Sequence, residues 1–250
     1  MPFLKRQTKK EKTIVILDIG SASVGGALVS IQKYKKPVVT YHVRENMVFQ
    51  NDLNLERFLV SMLRSLESVL SQIKKSTKIP PSSFFCIFSS SWNISETKII
   101  KIEKTKTTLI SKEELEKLFK KDINVASIIS KRKKVTKGGY EVIDLKNIQI
   151  KLNGYETPRP YNKSAKTIEA TIFISIGAKE VIKSIKNKIF HMFHSTKVEF
   201  SSFLLIAFNT VRDIFTDKKD FILLDITGEV TEVAIVKNNV LVSATSFPLR

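Results

Sequence analysis

A single cysteine, Cys86, stands in the 250 residues, so no disulfide framework can form and a reducing compartment is expected. It sits inside the apolar run 84–88 and reads as a small buried hydrophobe on a strand, not as a nucleophile. Histidine is almost as scarce: His191 and His194 lie three apart near the end of a helix, and His42 is the only other. That is too few for a zinc site without cysteine partners, and the pair reads as helix-end residues beside the negative end of the dipole. No G-x-x-x-x-G-K-[ST] loop, G-x-S-x-G elbow or C-x-x-C pair occurs. Apolar runs such as 203–208 and 233–236 fall far short of the roughly 20 residues that a membrane helix needs. The basic start of the chain leads into a strand and not into the apolar core of a signal peptide, which favours a cytoplasmic location. Acidic residues are outnumbered 24 to 42 by Lys and Arg, giving a formal charge of +18. The excess is mostly lysine, spread along the chain with local runs only at 5–12 and 131–137. Diffuse lysine is the mark of a solvated surface, so no nucleic-acid partner is expected. A peripheral contact with the anionic inner face of a membrane ranks next, at about 1 kcal/mol per basic residue near the surface.

What is present is an ordinary globular composition, 42% apolar and 26% charged, arranged with clear periodicity. Residues 13–17 form a β-branched run; a small-residue turn at 20–23 leads to a second strand at 24–31 and a third at 38–43. Residues 53–73 carry apolar side chains at helical spacing, with Asp52 or Asn54 as candidate cap, and Pro80 and Pro81 precede a strand at 83–89. Trp92, the sole tryptophan, is a packing anchor at the junction with a segment of different character. There, a strand alternates at 92–106, and Ser111 with Glu114 makes a capping box before a helix at 112–119. A charged loop at 131–139 and strands at 140–152 and 166–176 follow, with Asn153-Gly154 as the strongest turn signal. A helix at 178–190, a strand at 197–200, a helix at 203–214, a buried strand at 220–225 and strands at 231–237 and 240–247 complete the chain.

The chain also repeats itself. Residues 17–29 align without gaps to 224–236, an offset of 207 that takes Asp18 onto Asp225. Each copy reads as a buried strand, an Asp at its end, a tight turn of small residues and a second strand. Small residues let turn amides converge on phosphate oxygens, and a carboxylate at a strand end can hold Mg²⁺ that bridges to them. The pattern therefore predicts a clamp on the phosphates of one Mg-nucleotide. Its candidate phosphate residues are Asp18, Gly20, Ser21, Ala22 and Ser23 in the first copy, and Asp225, Thr227, Gly228 and Thr231 in the second. Asp18 and Asp225 are expected to hold the metal through water. Two ordinary core hairpins with Asx turns are the plainer alternative, but two copies with Asp in register favour the clamp.

These two loops, with the segment 152–175 reading LNGYETPRPYNKSAKTIEATIFIS and Ser246-Phe247-Pro248 after the second loop, resemble the actin-like ATPases. Within that group the chain is similar to the cell-division protein FtsA and its pilus relative PilM. The resemblance implies an α/β, ribonuclease H-like actin fold carrying an inserted α+β module of the SHS2 (1C) type, with the second domain incomplete. It divides the chain into subdomain IA at 1–90, the insert at 91–177, a return to IA at 178–196 and the start of subdomain IIA at 197–250. It implies ATP and Mg²⁺ as cofactors and a cytoplasmic scaffold at the inner face of the cell membrane in cell division. Its partners would be further copies of itself and a tubulin-like division filament, or, in the PilM-like alternative, a pilus membrane protein. A third alternative is an interaction module that has kept the fold and lost the nucleotide. The second loop departs from the family's D-I-G-G-G-T-T-D at Thr227, Glu229 and Val230, and the family's adenosine motif lies beyond the last residue. No catalytic residue is assigned.

Overall fold

The computed structural model describes residues 12–48, 55–122, 128, 138–228 and 230–248. They fall into two units, one made of the residues up to Phe88 with Val181–Phe200, the other of Ser89–Glu180 with the residues from Ser201 onward.

In the first unit, the β-branched start of the chain forms β1 (Lys12–Ile19), which turns into β2 (Ser23–Ile31) and β3 (Val38–Asn46) as an antiparallel meander. Helix α1 (Leu55–Ser76) follows, with Met62, Leu66, Val69, Leu70 and Ile73 on one stripe, all fully buried. Lys74 and Lys75 close its last turn, where the dipole favours cations. The chain then re-enters the sheet as β4 (Phe84–Phe88), parallel to β1. With β9 (Val198–Ser202) the sheet order is β3-β2-β1-β4-β9. A central strand whose flanking strand on one side is antiparallel and on the other parallel needs a crossover, and α1 lies on that path.

Helix α1 rests on β2 at a glycine. A Cβ on Gly26 would fall 2.5 Å from Val69 Cγ1 and 2.7 Å from Ile73 Cδ1. The other helix of this unit is α3 (Lys179–Phe193), which buries Val181, Ile182, Ile185 and Ile189. Its Lys188 pairs with Glu67 of α1 at 2.5 Å, and its Phe193 packs on Phe84 of β4 at 5.1 Å between ring centres.

The second unit holds a four-stranded sheet and a three-stranded one. The first has the order β5-β8-β6-β7, with β5 (Asn93–Leu109), β6 (Tyr140–Leu152), β7 (Tyr155–Glu156) and β8 (Ser164–Ala178). Ser111 Oγ accepts the Glu114 amide at 3.1 Å, as a capping box requires, and starts α2 (Lys112–Asp122). The Asn153-Gly154 turn holds Asn153 at φ 51° and Gly154 at φ 86°, and Asn153 Oδ1 accepts the amides of Lys166 and Thr167. Strand β8 is buried without interruption from residue 170 to 178 because it serves two cores. Ile172, Ile174 and Ile176 join Ile110, Leu115 and Ile150, whereas Phe173 joins the cluster around α4 (Phe203–Ile214). A strand covered on both faces loses the strict apolar–polar alternation, as 172–174, Ile-Phe-Ile, shows.

The three-stranded sheet has the order β10-β11-β12, from β10 (Phe221–Ile226), β11 (Val230–Lys237) and β12 (Val240–Pro248). One face packs on Leu204, Leu205 and Phe208 of α4 through Phe221, Leu223, Ala234, Val236 and Leu241. The expectation of a buried strand at 220–225 is corrected here. Ile222, Leu224 and Ile226 are 67%, 59% and 66% exposed, because β10 is an edge strand among the described residues and only its other face meets α4.

Candidate functional site

The two sequence-related hairpins fold alike. In the first, the Gly20 amide donates to the Ser23 carbonyl at 3.0 Å; in the second, the Thr227 amide donates to the Val230 carbonyl at 3.2 Å. Both bonds lie at matched positions of the repeat, and both close the turn directly after the strand that carries the Asp. Asp18, Gly20, Ser21, Ala22 and Ser23 are thus gathered in one turn of the first unit, and Asp225, Thr227 and Gly228 in one turn of the second. Thr231 sits opposite Ile226 in the β10–β11 ladder and is buried. Glu229 lies outside the described residues, as do the candidate caps Asp52 and Asn54 and the run 131–137.

The first turn is shaped by small residues. Ser21 is 3% exposed, the Ala22 carbonyl accepts the Met47 amide at 2.8 Å, and a Cβ on Gly20 would lie 3.1 Å from the Ser23 carbonyl oxygen. Beside it runs a lateral row across three strands, in which Asp18 pairs with Gly25 and Gly25 with Arg44. With no side chain on Gly25, the Arg44 side chain crosses β2. Its Nη2 donates to Asp18 Oδ2 at 2.6 Å and its Nη1 to Ser23 Oγ at 2.7 Å. A Cβ on Gly25 would stand 2.8 Å from Nη2. Asp18, expected to hold Mg²⁺ through water, has one carboxylate oxygen bonded to a guanidinium that the lateral register brings beside it.

The second turn differs. The Thr227 hydroxyl donates to the Val230 carbonyl at 2.7 Å and doubles the bond that Gly20 makes once. Its lateral row is Asp225, Glu232 and Ser246. Glu232 holds the place of Gly25 and is 5% exposed. Two carboxylates thus face each other across adjacent strands where the first hairpin has a carboxylate, a gap and a cation.

Arg44 is the residue that reading the sequence missed. Counting along the β2–β3 hairpin misplaces it, because the register shifts between Leu28 and Val29. Thr40 is the extra residue of that bulge, with its Oγ1 donating to the Leu28 carbonyl at 3.1 Å.

The remaining candidates resolve as structural. Cys86 is 1% exposed and burial pushes its thiol far up, away from the reactive thiolate. Trp92 is 4% exposed, as befits a packing anchor. His194 caps α3 at φ 54° with its amide on the Phe190 carbonyl at 2.8 Å, and its ring and that of His191 lie edge-on to Phe190. Among the described residues no group of three or more His, Cys, Asp or Glu is placed to hold a metal, and no helix is long and apolar enough to cross a membrane.

No protein-family model matches the sequence, and no curated protein matches it. Solved structures do. A chain of the PilM-PilN type IV pilus biogenesis complex superposes over 96% of this chain with a TM-score of 0.61 at 12% identity. The fold is actin-like. A Bacteroides thetaiotaomicron protein described as having an actin-like ATPase fold and unknown function covers 98% of the chain at 10% identity, with a TM-score of 0.48. The ethanolamine utilization protein EutJ of Carboxydothermus hydrogenoformans covers 96% at 9% identity, with a TM-score of 0.43. The chain spans 62% of the length of the PilM-PilN chain and 52% of EutJ.

Proposed function

We propose that this protein is a nucleotide-binding scaffold of the PilM kind, which takes phosphate at the Asp-bearing turn of its first unit and presents its surface to a membrane-protein partner. The observation that carries the nucleotide part is the recurrence of the turn. Gly20 with Ser23 and Thr227 with Val230 make the same closing hydrogen bond at matched positions, each after a strand whose next-to-last residue is Asp. In the first turn, the small residues Gly20–Ser23 allow close approach of a phosphate, and Arg44 brings a planar fork of donors suited to it. At Asp18 a cation is already in place, because Arg44 Nη2 donates to Oδ2. The phosphate chemistry at this turn is accordingly assigned to the chain's own donors. Thr227, Gly228 and Thr231 are the corresponding candidates in the second hairpin.

The partner part draws on the likeness to a protein solved as part of a pilus biogenesis complex with PilN. By that analogy the partner is the cytoplasmic segment of a membrane protein and the site of action is the inner face of a membrane, which the charge of +18 suits. An FtsA-like role in cell division is the second reading, favoured by the sequence of residues 152–175. Calorimetric titration of ATP into the protein tests the nucleotide reading: binding at micromolar to millimolar concentration supports it, and silence for ATP, ADP and GTP alike would leave an interaction module without nucleotide. Filaments forming on anionic vesicles would favour the division role; binding of a membrane-protein tail peptide in solution, without filaments, would favour the pilus role.

A further inference from the structure

We infer that Arg44 is the anion-recognising residue of the first turn and takes the place of a divalent metal there, so that phosphate binding at this turn is metal-independent. The inference deepens the nucleotide reading above and rests on it for the ligand class. Arg44 is neither a core residue nor a stray surface cation. It reaches across a strand through a gap that only glycine leaves, and joins the two polar side chains that bracket the turn, Asp18 at 2.6 Å and Ser23 at 2.7 Å. A guanidinium carries five N–H donors in a rigid fork. Two are used in these bonds, which leaves three for a ligand, and more than half of the side chain, 55%, is exposed.

Electrostatics decides between Arg44 and a metal. Asp18 alone would repel a phosphate, and a cation must screen it. Mg²⁺ gives up its water reluctantly and would meet the carboxylate through a hydration shell, whereas Arg44 meets it by a direct charge-assisted bond. The guanidinium also presents two donors to two phosphate oxygens at once, with no octahedral water shell to give up. Ser23, accepting from Arg44, keeps its hydroxyl proton to donate. The parked ion pair thus holds a phosphate fork in place before a ligand arrives, and Asp18 serves as its positioning residue and not as a metal ligand.

The test is calorimetric titration of ATP into the full chain, once in EDTA and once in excess Mg²⁺, with wild type, Arg44→Met and Arg44→Lys. The affinity of the wild type is expected to change by less than about threefold between the two conditions. Arg44→Met is expected to weaken binding in EDTA by about tenfold or more, the loss typical of a charge-assisted bond. Arg44→Lys should recover part of that loss, since it restores charge without the fork. In Arg44→Met, Mg²⁺ should then improve binding, because Asp18 is freed for it. Circular dichroism melts confirm that the variants fold, and tripolyphosphate is titrated in parallel in EDTA. If wild type binds ATP only with Mg²⁺, the role given to Arg44 is overturned and the nucleotide reading stands. If ATP fails in both conditions while tripolyphosphate binds through Arg44, the anion site stands and the nucleotide reading falls. If neither ligand binds, both fall.

Discussion

Asp18 and Asp225 occupy the same place in turns closed by the same hydrogen bond, yet the rows of residues beside them differ in charge. The first row runs Asp18, Gly25, Arg44 and is neutral; the second runs Asp225, Glu232, Ser246 and carries two carboxylates. Their settings differ as well. Strand β1 has partners on both edges and Val15, Leu17 and Ile19 fully buried, while β10 has a partner on one edge among the described residues and three exposed apolar side chains. The repeated hairpin is therefore a frame and not a site. What it can bind is set by the lateral row, and a row is spread over residues far apart in the chain.

The difference can be broken by exchanging parts. Position 26 in the first hairpin corresponds to Val233 in the second, and the sharpest exchange is Gly26→Val. Its side chain would enter the space of Val69 and Ile73, so α1 must lift from β2, at about 3 kcal/mol or more. The reverse change, Val233→Gly, removes a half-buried side chain from a strand and is expected to cost about 1 kcal/mol. Urea unfolding monitored by circular dichroism measures both; equal losses would mean that the helix is not seated on Gly26. The second hairpin has its own support in Asp144, a buried carboxylate that accepts the Ser202 amide at 2.7 Å and the Ser201 hydroxyl at 2.8 Å. Ser202 in turn caps α4, accepting the Leu205 amide at 3.4 Å. Asp144→Ala leaves those donors without their acceptor and should lower stability by about 2–3 kcal/mol; a loss below that of Val233→Gly would show that α4 does not depend on this anchor.

How far the sequence revealed this depends on how local each feature is. The hairpin with its Asp, the helix stripe at Met62–Ile73, the capping box at Ser111 and the Asn153-Gly154 turn are written in adjacent residues, and each forms where the pattern places it. The exposure of β10 was illegible, because an apolar run such as Phe221–Ile226 reads the same whether one face is covered or both. Arg44 was hidden by a bulge at Thr40 that shifts the register by one residue, so its neighbour across Gly25 appears only in the folded sheet.

Arg44 also separates binding from stability. Its pair with Asp18 is 55% and 40% exposed, so solvent and salt screen it, and Arg44→Met should cost no more than about 1 kcal/mol of folding free energy. A larger loss would make the pair a structural strut and weaken the case for a ligand fork. The smallest effect is expected from the second unit's own carboxylate bridge. Glu169 of β8 takes the ammonium groups of Lys101 and Lys151 at 3.2 Å each, and those hydrogen bonds hold its carboxyl below the ordinary 4.5. A carboxyl with a lowered folded-state pKa binds its proton more readily when the chain unfolds. Its contribution to stability is therefore complete above pH 4.5 and disappears as the pH falls through the lower folded-state value. The stability gap between wild type and Glu169→Gln should then be small but measurable at about pH 6 and shrink as the pH is taken below 4.5.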